Sequence, residues 1–191
     1  MTNRKIIAID IDEVIADLMT VWLRRYNSDW DDNVQEKDIV EWDVANFVKP
    51  EAKLSIYDYC RNPEIYNFVK PVKDSQEVIK KLSIDYTIIY VTAAAANTAD
   101  RKKCWLKENN FVNYHNFINT ERKEFVCADF LVDDRYSNIK EFVNLYGINT
   151  RQGLLFTRAW NICVSDFSML VSISRFDGWN KIGQYLNPSN V

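Results

Sequence analysis

Four short apolar runs, each ending on a polar residue, constrain this chain more than anything else in it. Ile6-Ile7-Ala8-Ile9 runs into Asp10, Thr87-Ile88-Ile89-Tyr90-Val91 into Thr92, Phe130-Leu131-Val132 into Asp133, and Leu154-Leu155-Phe156 into Thr157. Runs this short, β-branched and free of alternation are what strands buried on both faces look like, the pattern of a parallel sheet. Segments with helical spacing lie between them, at 14–26, 75–82, 100–109 and 137–145, the last with Ser137 expected as its cap. Strand alternating with helix predicts an α/β fold, a doubly wound and mostly parallel sheet with right-handed crossovers.

Residues 28–71 break the rhythm. They are rich in Asp, Asn and aromatics (Trp30, Trp42, Phe47, Tyr57, Tyr59, Tyr66, Phe68), with weak helical patterns and no strand fit for a core. This stretch reads as a small, mainly helical cap inserted after the first strand–helix unit, with 1–27 and 72–191 forming the core domain. A peripheral helical pair that only completes the core is the other reading of the same residues. Residues 187–191 are expected to fray.

Composition removes several function classes. The chain has 191 residues, enough for one core with such an insert. Net charge is −3 and no basic run stands out, which argues against a long nucleic-acid partner. A small anionic substrate would need positive charge and a metal supplied locally. The single histidine, His115, sits in a loop-like stretch, so a His-based zinc site and a Ser-His-Asp triad lack their parts. Cys60, Cys104, Cys127 and Cys163 have no metal-binding spacing and read as small buried thiols of a reduced, cytoplasmic protein. No secretory h-region follows the start, and no apolar run approaches the ~20 residues of a membrane span. A homodimer is compatible with the sequence, and nothing in it specifies one.

In an open parallel sheet the carboxyl ends of the strands gather along one edge, where ligands bind. That topology would bring Asp10 and Asp12, Thr92, and Asp133 and Asp134 together. Four carboxylates in a low-dielectric crevice repel one another, and a divalent cation resolves the conflict. Hard oxygen donors favour Mg²⁺ over zinc. An Asp-x-Asp alone is a weak signal, because acidic pairs also end strands as solvated turns. Asp133-Asp134-Arg135, Thr92 and Lys123 make it specific.

The set resembles the haloacid-dehalogenase superfamily, whose first motif is an apolar strand followed by Asp-x-Asp. More narrowly it is similar to the 5′(3′)-deoxyribonucleotidases, through IAIDIDEVIADL, NFVKPV, IIYVTA, KKCWLKENNF, DFLVDDR, GLLFTRAWN and DGWNKI. The resemblance implies a Mg²⁺-dependent phosphatase of deoxyribonucleoside monophosphates, 5′ or 3′, with a pyrimidine such as that of dUMP or dTMP as the base. Asp10 would be the nucleophile and Asp12 the general acid and then base. Thr92 would bind a phosphoryl oxygen, and Lys123 would supply fixed positive charge, with Lys102 a second candidate. The metal would take the Asp10 carboxylate, the Asp12 backbone carbonyl and Asp134, with Asp133 orienting that shell. Substrate contacts fall to Leu18, Trp42, Tyr66, Ala93 and Lys102, with Phe68 near the place of Tyr66, while Trp22, Tyr57 and Trp105 read as core.

Three departures bear on specificity. Glu13 stands where the superfamily often has Gly, Ala93 where related nucleotidases can offer a Ser hydroxyl, and Leu18 where an aromatic can meet the base. Rival readings are a phosphatase of another small phosphomonoester, such as a sugar phosphate, and a non-catalytic nucleotide-binding scaffold. The scaffold needs a broken site, and every motif residue is present. A receiver domain carries its acidic pair and phospho-acceptor on separate strands and lacks a cap.

Overall fold

A computed structural model describes residues 4–145, 150–163 and 172–187. Strands β1 (Ile6–Asp10), β4 (Thr87–Thr92), β5 (Phe117–Asn119), β6 (Phe130–Asp133), β7 (Gln152–Phe156) and β8 (Ile173–Phe176) form one sheet in the order β5-β4-β1-β6-β7-β8, every pair parallel. The predicted doubly wound α/β fold is therefore present. Side-chain direction alternates along each strand, and both directions are buried. Ile7, Ile9, Ile88, Tyr90, Val132 and Leu154 enter one apolar layer, and Ala8, Val91, Leu131 and Leu155 the other. Helices α3 (Ser75–Leu82), α4 (Ala96–Glu108) and α6 (Trp179–Leu186) contribute to the first layer, and α5 (Tyr136–Asn144) to the second.

Strand β1 lies in the middle, with β4 on one side and β6 on the other. Register places Asp10 opposite Val91 and Ile9 opposite Val132, so Asp10, Thr92 and Asp133 end adjacent strands at the point where strand order reverses.

Some boundaries differ from the sequence reading, for local reasons. The helix expected from Val14 begins only at Leu18: α1 spans Leu18–Trp30. Before it the chain reverses tightly, with Glu13 at φ 61° and the amides of Ile15 and Ala16 both donating to the Ile11 carbonyl. The two-residue strand β2 (Ala16–Asp17) follows and pairs antiparallel with β3 (Lys70–Pro71), closing the long insertion onto the start of α1. Ser137 does not cap α5; that helix starts at Tyr136 and its Arg135 cap makes no side-chain cap bond. Strands β5 and β8 are only three and four residues long, too short to stand out by pattern.

Between α1 and β3 lie 3-10 turns at Glu36–Asp38, Val44–Phe47, Pro50–Ala52 and Pro63–Asn67, and one helix, α2 (Ile56–Arg61). Trp22 and Trp105 fasten this stretch by donating their indole N–H groups to the carbonyls of Ile56 and Val69, at 2.8 and 2.9 Å. The cysteines correct the expectation of buried thiols: Cys104, Cys127 and Cys163 are exposed and Cys60 half-buried. His115 is exposed, as a loop residue should be. The tail expected to fray lies, from residue 188 on, outside the described residues. No helix among the described residues is long and apolar enough to cross a membrane.

Candidate active site

A cavity of about 640 Å³ opens over the carboxyl ends of β1, β4 and β6, walled on its far side by residues 42–61. Asp10, at the end of β1, is buried, and its Oδ1 accepts from the Ile11 amide and from Lys123 Nζ, both at 2.8 Å. Lys123 sits at the start of a 3-10 turn (Lys123–Phe125) and also donates to Asp133 Oδ2 at 2.7 Å. Asp133 has both oxygens engaged, Oδ1 by the Arg135 amide (2.7 Å) and Oδ2 by Lys123 and Asn138 Nδ2 (3.0 Å). Asp134 is buried and accepts from Trp160 Nε1 at 2.8 Å. One oxygen each of Asp10, Asp133 and Asp134 lie within 4.8 Å of one another.

One ammonium cannot satisfy three buried carboxylates. Burial, then Asp133 and Asp12, push the Asp10 pKa up to about 7 against the pull of Lys123. Burial, then Asp133, Asp10 and Glu13, hold the Asp134 carboxyl well above the ordinary range. Burial works against the Lys123 ammonium, yet Asp10 and Asp133 outweigh it and raise its pKa. An all-oxygen donor set short of positive charge is chemically fitted to a divalent hard cation.

Asp12 belongs to a different environment although it is only two residues from Asp10. Its Oδ2 accepts from Lys102 Nζ at 2.6 Å and its Oδ1 from the Tyr66 hydroxyl. Lys102, fully buried on α4, also donates to Thr92 Oγ1 at 2.7 Å. Two carboxylates on one loop are thus held by separate lysines from separate elements.

Leu18, Trp42, Ala93 and Lys102 line the cavity with Asp10, Asp12, Thr92, Lys123 and Asp134. Trp42 is half exposed, and the Arg135 guanidinium lies 4.7 Å from its ring centre. Tyr66 is buried with its ring edge-on to Trp105 at 6.0 Å, and its hydroxyl donates to Asp12, itself a cavity residue. Burial and the Asp12 charge raise the Tyr66 pKa well above its usual value, so the hydroxyl stays a donor. Phe68 lies away from the cavity, beneath the Arg25 guanidinium, whereas Tyr57, read as core, is part of the wall. Sequence reasoning missed Arg61, Arg122 and Arg135 as cavity residues, and they supply the local positive charge that the overall charge of −3 withholds. Glu13, the departure from the expected Gly, is buried with Oε1 accepting from the Met19 amide at 2.5 Å, while Arg158 Nε donates to its backbone carbonyl at 2.7 Å.

The family model described as 5′ nucleotidase, deoxy (Pyrimidine), cytosolic type C protein matches residues 4–186. A 5′(3′)-deoxyribonucleotidase of Clostridium acetobutylicum is 30% identical over 141 residues, which are 73% of this chain and 78% of that protein. A second, from Bacillus subtilis, is 32% identical over 146 residues, 73% and 81% of the two chains. Among solved structures, the haloacid-dehalogenase-type hydrolase YfnB of Bacillus subtilis, bound to magnesium, superposes with a TM-score of 0.63 at 11% identity, covering 97% of this chain and 100% of that one. The match along nearly the whole chain and the two relatives together identify it: the chain belongs to the deoxyribonucleotidase family, has the fold of haloacid-dehalogenase-type hydrolases, and is a phosphoric monoester hydrolase.

Proposed function

We propose that the protein is a Mg²⁺-dependent nucleotidase that dephosphorylates deoxyribonucleoside monophosphates, with a pyrimidine preference, through an aspartyl-phosphate on Asp10. The observation that carries this reading is the division of labour between Asp10 and Asp12, each with its own lysine, at the floor of one cavity. Family membership supports nucleotide monophosphates as substrates, and the family description supports the pyrimidine. The free cysteines support a reducing, cytoplasmic setting.

Asp10, Asp134 and the Asp12 backbone carbonyl would hold the metal, with Asp133 orienting them through Lys123, Asn138 and the Arg135 amide. Bound there, Mg²⁺ supplies the charge neutralisation that a transferring phosphoryl group needs. A carboxylate oxygen of Asp10 attacks phosphorus as the bond to the sugar oxygen breaks, and Asp12 gives that oxygen its proton. Asp12, now a carboxylate held by Lys102 and Tyr66, takes a proton from water. The hydroxide attacks phosphorus, freeing Asp10 and inorganic phosphate. Thr92 accepts from Lys102, which leaves its own hydroxyl hydrogen to donate to a phosphoryl oxygen. Asp12→Asn should therefore be nearly inactive, yet accumulate phosphoenzyme when the leaving group is good, because hydrolysis loses its base. Acid-quench labelling with a ³²P substrate checks this, and rapid turnover by Asp12→Asn contradicts it.

The segment 28–71 acts as a cap that supplies base recognition through Trp42, whose ring lies against the Arg135 guanidinium. A stacked base is worth about 1–3 kcal/mol, so Trp42→Ala should raise KM for nucleoside monophosphates about 5- to 100-fold. Hydrolysis of p-nitrophenyl phosphate should change much less. The decisive measurement is phosphate release over a panel of nucleoside monophosphates and sugar phosphates with wild type and Trp42→Ala. No preference of the wild type for dUMP or dTMP over a sugar phosphate would end the nucleotidase reading. Equal loss on both substrate classes would reassign Trp42 to packing.

A further inference from the structure

Among the described residues, four indoles donate buried hydrogen bonds. Trp22, Trp105 and Trp179 donate to backbone carbonyls, those of Ile56, Val69 and Val14. Trp160 differs. Its Nε1 donates to a side-chain carboxylate, Asp134 Oδ2, at 2.8 Å. The next residue takes hold of the same loop: Asn161 Nδ2 donates to the Asp134 backbone carbonyl at 2.8 Å and to that of Phe156 at 2.8 Å. Asn161 is held in turn by Arg175 on β8, which donates to its Oδ1 and to its carbonyl, both at 2.7 Å. The Arg158 amide adds a third donor to Asn161, at 3.2 Å to Oδ1, so the orientation of the side-chain amide is set. Trp160 and Asn161 are both buried.

We infer that Trp160 and Asn161, backed by Arg175, form a clasp that fixes Asp134 in the position and rotamer required of a metal ligand. The inference rests on the reading of Asp134 as a ligand. Two grips act on one residue, one on its carboxylate and one on its backbone, and both come from the 3-10 turn Ala159–Asn161 just past the neighbouring strand β7. Trp160 occupies Oδ2 and leaves Oδ1 to bind a cation through a single oxygen. The donor is a neutral N–H, so it orients the carboxylate without cancelling the charge that a cation seeks. Oriented outer groups of this kind typically govern metal affinity by 10- to 100-fold. Trp160 and Asn161, which the resemblance marked without a task, thereby acquire one as positioning residues.

Trp160→Phe removes the donor while keeping an aromatic ring in the buried site. Mn²⁺ titration followed by the EPR signal of free Mn²⁺ should show it binding about 10-fold or more weakly than wild type. Trp105→Phe loses a buried indole bond of 2.9 Å to the Val69 carbonyl rather than to Asp134, and should bind Mn²⁺ as wild type does. A second measurement needs no variant. On Mg²⁺ titration of ¹⁵N-labelled wild type, the Trp160 indole resonance should move more than those of Trp22, Trp105 and Trp179. Trp160→Phe binding Mn²⁺ within twofold of wild type, an equal loss in Trp105→Phe, or an unmoved Trp160 resonance would each overturn the clasp. Absence of Mn²⁺ binding by the wild type would instead remove the metal reading of Asp134, and the clasp with it.

Discussion

Asp10→Asn is expected to lower phosphate release by about 10⁴-fold or more, with circular dichroism and elution volume unchanged. An amide cannot open a covalent bond to phosphorus, yet its oxygen can still accept from the Ile11 amide and Lys123, so the local packing survives. A second signature separates a lost nucleophile from a damaged fold. Burial pushes the Asp10 pKa up to about 7, above the ordinary carboxylate value. A group raised in the folded state stabilises that state fully only below its unfolded pKa, and the contribution is lost as pH climbs through the folded value. Metal-free wild type should therefore lose thermal stability between about pH 4 and pH 7. Asn has no proton to lose, so the same window should cost the variant less. Wild-type-like phosphate release by Asp10→Asn would sink the nucleophile assignment, and parallel Tm-against-pH curves would remove Asp10 from the strained carboxylate cluster.

Stripping divalent metal should abolish activity, by about 10³-fold or more if the cation supplies the usual several kcal/mol. Mg²⁺ should restore it and Ca²⁺ should restore little, because a larger and looser shell misplaces in-line groups. The reason lies in charge: Asp10, Asp133 and Asp134 converge within 4.8 Å with Lys123 as the ammonium bonded to two of them. The same imbalance predicts a pH dependence of metal stabilisation. At pH 5 a proton on Asp10 competes with the cation, and at pH 8 it does not. Saturating Mg²⁺ should thus raise Tm more at pH 8 than at pH 5. Full activity after exhaustive dialysis against EDTA, assayed in excess EDTA, would contradict a metal requirement.

The sheet was legible because burial on both faces forces strands into continuous apolar runs, and the polar residue at the end of each run marks the edge where ligands gather. Asp10, Thr92 and Asp133 could be named on that ground alone, and helix 75–82 by its spacing. Chemistry limited the metal to hard oxygen donors for a similarly local reason, the near absence of histidine and the spacing of the cysteines. What remained hidden is one local backbone turn and the contacts set by side chains meeting across long sequence separations. The tight turn at Glu13, which delays α1 to Leu18, depends on a left-handed residue that no hydrophobic period announces. Tyr66 reads as a substrate contact only through the resemblance, and nothing near it in sequence announces that its ring packs on Trp105 while its hydroxyl meets Asp12. The split of the Asp-x-Asp pair between Lys123 and Lys102, and the grip of Trp160 on Asp134, likewise join residues from different elements. By itself the sequence determined which carboxylates reach the sheet edge, since strand ends are local; only the tertiary structure decided which partner each one meets, since those partners arrive from helices and turns that packing alone brings within hydrogen-bond range.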